Sequence, residues 1–111
     1  MGKTLNEWAA EVWQISDDHG FHDENVNTAP PMWVANLHGE VSEFWETYRK
    51  GTLNELCDKP IDLTCAEEEL ADIIIRALDN AAQMGIDIEE AVRVKSAYNR
   101  TRPFRHGGKK A

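Results

Sequence analysis

The sequence predicts an all-α protein with a four-helix arrangement in one domain, and three observations support this. Apolar residues recur at spacings of three and four in four separate segments. Most of these segments begin at a capping residue, and each ends at glycine or proline. No segment has the alternating pattern of a β-strand. With 111 residues, the chain forms a single domain with a small core, so association with a second copy is expected to bury further surface.

The first helix is predicted over residues 5–19. Thr4 and Glu7 match a capping box at its start, and Gly20 ends it. The segment that follows, residues 21–30, is polar and too irregular for a strand. Four aromatic side chains in and before this loop either belong to the core or a subunit interface, or hold a flat base. They are Trp8, Trp13, Phe21 and His22.

The second helix is predicted over residues 31–50, from Pro31 to the residue before Gly51. Glu40 falls within about 60° of the centre of its apolar stripe, on the side that should be buried. Glu43 falls at the edge of the stripe, about 120° from its centre and in the same direction. Glu46 lies opposite the stripe and is interpreted as an ordinary surface residue. A buried glutamate without an apparent partner makes Glu40 a candidate functional residue.

The third helix is predicted over residues 66–84, with a second capping box at Thr64 and Glu67 and a stop at Gly85. Its apolar arc is wide, which is typical of a central bundle helix or of one that packs against a second subunit. A narrow polar strip runs along the remaining side. This strip is either the exposed side of a central helix or one half of a functional site. It contains Glu69, Asp72, Arg76 and Asp79.

The fourth helix is predicted over residues 88–102, with a third capping box at Asp87 and Glu90 and an end at Pro103. Its inward face begins with apolar side chains and continues, without changing face, as three polar ones. Buried cations need anionic partners, which are either the carboxylates of other helices or a bound phosphate. These three residues are Lys95, Asn99 and Arg102. A basic tail follows at residues 103–111.

Two pairs of acids, Glu40 with Glu43 and Glu69 with Asp72, are each spaced three residues apart. Residues at this spacing lie on the same face of a helix, so two packed helices would bring four carboxylates together. Four anions repel one another unless a cation lies among them. Oxygen ligands favour Mg²⁺, with Mn²⁺ as a substitute, and such an ion supports hydrolysis of a phosphoanhydride. We therefore expect all four acids to bind metal.

Charge and composition narrow the functional classes further. The net charge is −8, yet residues 93–111 contain seven of the 12 basic side chains and no acid. An acidic body makes nucleic acid an unlikely partner. We expect a cytoplasmic protein with free thiols at Cys57 and Cys65 and no membrane segment, because the sequence has neither a long apolar run nor a signal peptide. No Glu-x-x-His pair, zinc signature or P-loop is present.

The spacing of these motifs resembles the MazG-like, all-α nucleotide pyrophosphohydrolases. The E-x-x-E motif at Glu40–Glu43 is followed, after 25 residues, by E-x-x-D at Glu69–Asp72. The C-terminal sequence K-x-x-Y-N-x-R-x-R-P, from Lys95 to Pro103, and the later H-G-G-K also resemble short, stand-alone members of that family. The resemblance covers residues 33–109. Helix one and the loop after it match none of these motifs.

The resemblance implies a fold and an activity. Members cleave nucleoside triphosphates between the α and β phosphates with Mg²⁺, often removing non-standard or surplus nucleotides, and form homodimers or homotetramers. It implies that the four acids are metal ligands, with Glu40 and Glu43 catalytic, and that Lys95, Asn99 and Arg102 bind the nucleotide. The alternatives are a narrow-substrate dUTPase-like or phosphoribosyl-ATP-type hydrolase, and a non-catalytic, metal-binding helical interaction module.

Overall fold

The computed structural model describes residues 2–23 and 30–104, and the prediction of an all-α fold with four helices is confirmed for them. The helices lie within one residue of their predicted ends. Residues 24–29 of the predicted loop, and residues 105–111 of the predicted basic tail, lie outside the described residues. The helices are α1 Leu5–Asp18, α2 Pro30–Arg49, α3 Cys65–Gln83 and α4 Ile88–Thr101.

Two of the three predicted capping boxes are complete, and the third is half formed. Thr4 caps α1 and Thr64 caps α3, each with the reciprocal bond from the glutamate three residues later. At α4 the Asp87 side chain accepts the Glu90 backbone N–H at 3.1 Å. The Glu90 carboxylate, however, accepts from the Arg93 guanidinium and does not return to the cap. The prediction of a full box there was wrong, because an arginine one turn ahead competes for that carboxylate.

Helix α3 is the central element, since it packs against both α1 and α2. The core between α1 and α3 is formed by Ala9, Val12 and Leu78, and Ile88 at the start of α4 packs against it. Helix α4 also packs on α1. Hydrogen bonds join the two helix starts: the Leu5 N–H donates to a Glu89 carboxylate oxygen at 3.0 Å, and the Asn6 amide exchanges bonds with the α4 cap.

The polar strip of α3 faces the other helices, and much of its aliphatic surface faces outward. The Asp79 and Arg76 side chains are only 9% and 24% exposed. Leu70 and Ile74, in contrast, are 46% and 55% exposed. The interpretation of this strip as the exposed side of a central helix is therefore wrong for the single chain. Because α2 packs along it, the strip lines the helix interface.

Helix α4 is less buried than α3. The prediction of an inward face along the whole of α4 is wrong for the single chain: Val92, Lys95 and Asn99 are exposed, because α4 contacts α1 mainly near the partly buried Ile88. The connection from α2 to α3 is closed by an isolated antiparallel bridge between Leu56 and Thr64.

Both cysteines in the described residues are free thiols, as predicted. Among the helices described, none combines the length and hydrophobicity needed to cross a membrane.

Candidate functional site

Three of the four predicted acids meet where α2 packs on α3. One carboxylate oxygen from each of Glu40, Glu43 and Glu69 lies within 4.8 Å of the other two. Glu40 lies on the face of α2 that packs on α3, as the apolar stripe predicted, and its side chain is 20% exposed. Glu43 is exposed and Glu69 is half-buried. We call these three residues the acidic cluster.

The surroundings of the cluster disfavour ionised carboxylates. Burial, together with the negative charges of Glu43 and Asp72, raises the pKa of Glu40 to about 6. Burial and the charge of Glu43 also raise the pKa of Glu69. Capping acids show the opposite behaviour, since hydrogen bonds from Thr4 hold the pKa of Glu7 below its usual value. Acids that are held together despite these costs are candidates for a functional site.

The donor set of the cluster fits a divalent cation. Glu40 Oε2 and Glu69 Oε2 are buried and have no hydrogen-bond partner. Buried carboxylate oxygens are normally paired, so two unpaired ones that belong to the same cluster need an explanation. Hard cations such as Mg²⁺ take carboxylate oxygens as ligands. Glu40, Glu43 and Glu69 are thus the residues that would hold the ion.

Asp72 lies beside the cluster without joining it. Its charge raises the pKa of Glu40, but its oxygens lie outside the group of three ligand atoms. Burial and the charge of Glu68 raise the pKa of Asp72 in turn. Glu68 is itself paired with Lys59 at 2.8 Å, across the connection between α2 and α3. Asp72 therefore adds negative charge beside the acidic cluster without supplying one of its three ligand atoms.

Two cavities flank the acidic cluster, and Glu43 lines both. The first, of about 240 Å³, has an aromatic and amide lining with one cation; the second, of about 320 Å³, is hydroxyl-lined and also has one cation. Together they provide space on either side of the carboxylates for a ligand that reaches across them. Besides Glu43, the first is lined by Phe21, Ala35, Asn36, Gly39, Glu40 and Arg76. The second is lined by Ser42, Glu46, Thr47, Lys50 and Glu69.

Arg76 and Asp79 lie beside the acidic cluster, and the sequence placed them in the polar strip of α3 without assigning them a role. The Arg76 guanidinium forms ion pairs with Glu40 at 3.7 Å and with Asp79 at 3.8 Å. The available signal was their spacing: Asp72, Arg76 and Asp79 follow at intervals of four and three, on the face that carries Glu69. This face contains alternating charges, which is typical of a buried ion-pair network as well as of an exposed helix side.

The predicted substrate-binding residues lie on α4, which packs on α1. Lys95 Nζ lies 4.8 Å from the centre of the Tyr98 ring, and the Arg102 guanidinium lies 5.8 Å from it. Lys95 and Asn99 are exposed. The nearest strong cationic influences on Glu69 and Asp72 come from Lys59 and Arg76. Within one chain, therefore, the exposed Lys95 and Asn99 and the partly buried C-cap residue Arg102 lie apart from the acidic cluster.

The four aromatic residues near the first loop lie in three different environments. Trp13 stacks on His22 with ring centres 4.7 Å apart, and its indole N–H donates to Gln83, so this pair joins α1 to α3. Phe21 lines the first cavity, beside the Arg76 guanidinium. Trp8 is 42% exposed and packs under Lys3. Only Phe21 among the four lines a cavity beside the acidic cluster.

Comparison with known proteins connects the chain to an enzyme family. No protein-family model and no solved structure matches the chain. A dATP/dGTP diphosphohydrolase from Cyanophage S-2L is 33% identical over 84 residues, which cover 67% of this chain and 80% of the phage protein. The name of that protein denotes hydrolysis of two nucleoside triphosphates, the class of substrate that the resemblance of the two acidic motifs implied. The chain belongs to the nucleotide pyrophosphohydrolase family that includes this phage enzyme.

Proposed function

We propose that the protein is a Mg²⁺-dependent nucleoside triphosphate pyrophosphohydrolase that cleaves the α–β phosphoanhydride to give a nucleoside monophosphate and pyrophosphate. Mn²⁺ is expected to substitute for Mg²⁺. The observation that carries the proposal is the acidic cluster, in which three carboxylates share a half-buried site and two of their oxygens lack partners. When bound, a divalent cation supplies neutralisation of phosphate charge and acidification of water.

The residues of the chain take the remaining roles. Glu40, Glu43 and Glu69 are suited to hold the ion, with Asp72 beside them. Glu43 is exposed and lines both cavities, so it is placed to orient a water molecule and accept its proton. In the reaction one P–O bond forms to the water oxygen, and the α–β anhydride bond breaks. The bridging oxygen leaves with one of the two products.

The two cavities suggest how a nucleotide lies across the cluster. The first cavity, with Phe21 and Asn36, has the aromatic and amide groups that suit a nucleobase. The second, with Lys50 and Thr47, has groups that suit phosphate oxygens. Lys95, Asn99 and Arg102 of α4 are proposed to bind further phosphate or sugar oxygens. The phage relative is named for dATP and dGTP, so purine deoxynucleotides are the first substrates to test.

We also propose that the protein functions as a homodimer or homotetramer. Outward-facing aliphatic and aromatic side chains on α2 and α3, such as Ile74 and Trp45, are more than half exposed in one chain. A second copy would cover them and add to a small core. The activity, acting on triphosphates of the cytoplasmic pool, fits removal of surplus or non-standard nucleotides.

The test is an assay of product identity. The purified protein is incubated with Mg²⁺ and a panel of ribo-, deoxy- and damaged nucleoside triphosphates, with phosphoribosyl-ATP included, and monophosphate, pyrophosphate and orthophosphate are measured. Equal amounts of monophosphate and pyrophosphate from dATP or dGTP are expected. The variant Lys95→Gln should raise KM for the same nucleotide without altering the products.

Other outcomes separate the competing functions. Turnover of dUTP or phosphoribosyl-ATP alone would favour a narrow-substrate hydrolase. Release of orthophosphate would move cleavage to the terminal phosphate and contradict the proposed bond. If the whole panel yields no product while Mg²⁺ still binds, the non-catalytic, metal-binding helical module becomes the better account.

A further inference from the structure

Arg76 occupies an unusual position for a cation beside a candidate metal site. Its side chain is 24% exposed and lies between two acids, with Nε 3.7 Å from Glu40 Oε1 and Nη1 3.8 Å from Asp79 Oδ2. Both separations exceed the usual length of a charge-assisted hydrogen bond. The guanidinium is thus shared between a residue of the acidic cluster and a residue outside it.

Asp79 is held firmly from its other side. Its carboxylate is 9% exposed and accepts a hydrogen bond from His22 Nε2 at 3.1 Å. The His22 ring is itself 7% exposed and stacks on Trp13 of α1. Asp79 is one turn from Arg76 on α3, so a rigid helix fixes their spacing. These contacts form a chain of residues that runs from α1 through Asp79 and Arg76 to Glu40.

We propose that Arg76 is a built-in counter-ion of Glu40 that competes with the divalent cation for this carboxylate, and that Asp79 weakens the competition by holding the guanidinium back. The inference rests on the proposed metal site. Arg76 and Asp79 are positioning residues in this account, since they act on metal binding through Glu40. Without Asp79, the guanidinium would pair with Glu40 alone.

Substitutions of Arg76 and of Asp79 should change the affinity for Mg²⁺ in opposite directions. Removing the Arg76 charge leaves Glu40 free for the metal and takes one positive charge away from the site, so the affinity for Mg²⁺ should rise. Removing the Asp79 charge releases Arg76 towards Glu40, so the affinity should fall. A purely structural role predicts that both substitutions disturb the cluster and weaken binding.

The experiment is calorimetric titration of Mg²⁺ into the full-length protein without nucleotide. Arg76→Gln is expected to tighten binding about three- to tenfold, and Asp79→Asn to weaken it by a similar factor. In the double variant, most of the loss of Mg²⁺ affinity caused by Asp79→Asn should disappear, because the Arg76 guanidinium that would move towards Glu40 is absent. Arg49→Gln removes an exposed cation near the end of α2 and serves as the matched control, with affinity changed less than about twofold.

The outcomes distinguish this inference from the proposed metal site. Circular dichroism verifies the helical fold of each variant. If Arg76→Gln unfolds, Arg76→Met, which keeps the aliphatic stem beside Phe21, decides the question. Mg²⁺ binding by the unaltered protein without tightening in the Arg76 variants would overturn this inference alone. Absence of Mg²⁺ binding by the unaltered protein would overturn the metal site and the inference with it.

Discussion

On α3 the charged face is largely buried and much of the aliphatic face is exposed, which is the reverse of the usual arrangement. The face with Glu69, Asp72, Arg76 and Asp79 packs towards α2 and α1, with side chains from half-buried to buried. The face with Leu70 and Ile74 is about half exposed. In an ordinary amphipathic helix the charged residues face water and the aliphatic residues face the core. Here the charges occupy the interface between helices.

We propose that this reversal reflects a chain organised around a metal site, with its apolar surface covered by a second copy. Burying acids without compensation raises their pKa, as observed for Glu40 and Glu69, and is unfavourable for stability. Exposing aliphatic side chains on a central helix forgoes stabilisation of about 25 cal/mol per Å² of apolar surface. Both features become favourable if a cation occupies the first face and a second copy covers the other.

The polar face can be tested through its contribution to catalysis. Glu40→Gln keeps the shape of the side chain and removes its charge, so we expect kcat to fall by at least about a hundredfold. The helical signal in circular dichroism should not change. Glu11→Gln is the control, since the Glu11 side chain on α1 is 40% exposed, pairs with Lys3 and lines neither cavity beside the cluster.

Retention of turnover in Glu40→Gln would remove this residue from the catalytic machinery. An equal loss in Glu11→Gln would attribute the effect to the general loss of one negative charge. Either result would break the contrast between the two faces, because the buried acids would then be structural. A loss of Mg²⁺ stabilisation with no turnover in the unaltered protein would instead favour the non-catalytic module.

The apolar face can be tested through self-association. Ile74→Glu places a charge where an aliphatic surface is expected to be covered, and burial of one isoleucine stabilises an interface by about 1.5–3 kcal/mol. We therefore expect self-association to weaken by about tenfold or more, measured by sedimentation velocity over a range of concentrations. Leu56→Glu, on the 70% exposed leucine of the α2–α3 connection, is the control. A monomeric unaltered protein would refute the assigned role of this face.

Local features of the fold could be predicted from the sequence because they depend on neighbouring residues. Capping at Thr4 and Thr64 involves a side chain and a backbone group three residues apart, so its pattern is visible in the sequence. Glu40 was placed on the buried side of α2 by helical periodicity alone. The spacing of the acids predicted that packing of α2 on α3 brings carboxylates together. It did not predict that Asp72 lies outside the group of three ligand atoms.

Features that depend on packing between distant elements could not be predicted in the same way. The position of α4 on α1 is set by contacts near Ile88 and by the Asn6 bonds to the α4 cap, which no periodicity encodes. The side of α3 that faces inward depends on where α2 docks. The ion pairs of Arg76 arise from that docking, and the sequence therefore indicated a polar strip without its orientation.

The smallest effect expected from this comparison is a pH dependence of stability without metal. Burial and its acidic neighbours raise the pKa of Glu40 from an ordinary 4.5 to about 6, so the folded chain holds this proton more tightly than the unfolded chain. The folded state then binds more protons between these values, and the free energy of unfolding falls as the pH rises. Because solvent partly screens this carboxylate, the fall from pH 4.5 to above 6 is expected to be no more than about 1 kcal/mol.

Urea denaturation at fixed protein concentration, without divalent ions, measures this slope. Glu69 and Asp72, whose pKa values are also raised, contribute in the same direction. Glu7 and Asp87, whose pKa values are lowered by cap hydrogen bonds, oppose this slope only at the acidic end of the range, where these acids still bind protons in the unfolded chain. Glu40→Gln should flatten the slope, and so should saturating Mg²⁺, which binds the ionised carboxylates. Stability that rises over this range would mean that the buried acids are already compensated, and the polar face of α3 would then need no cation.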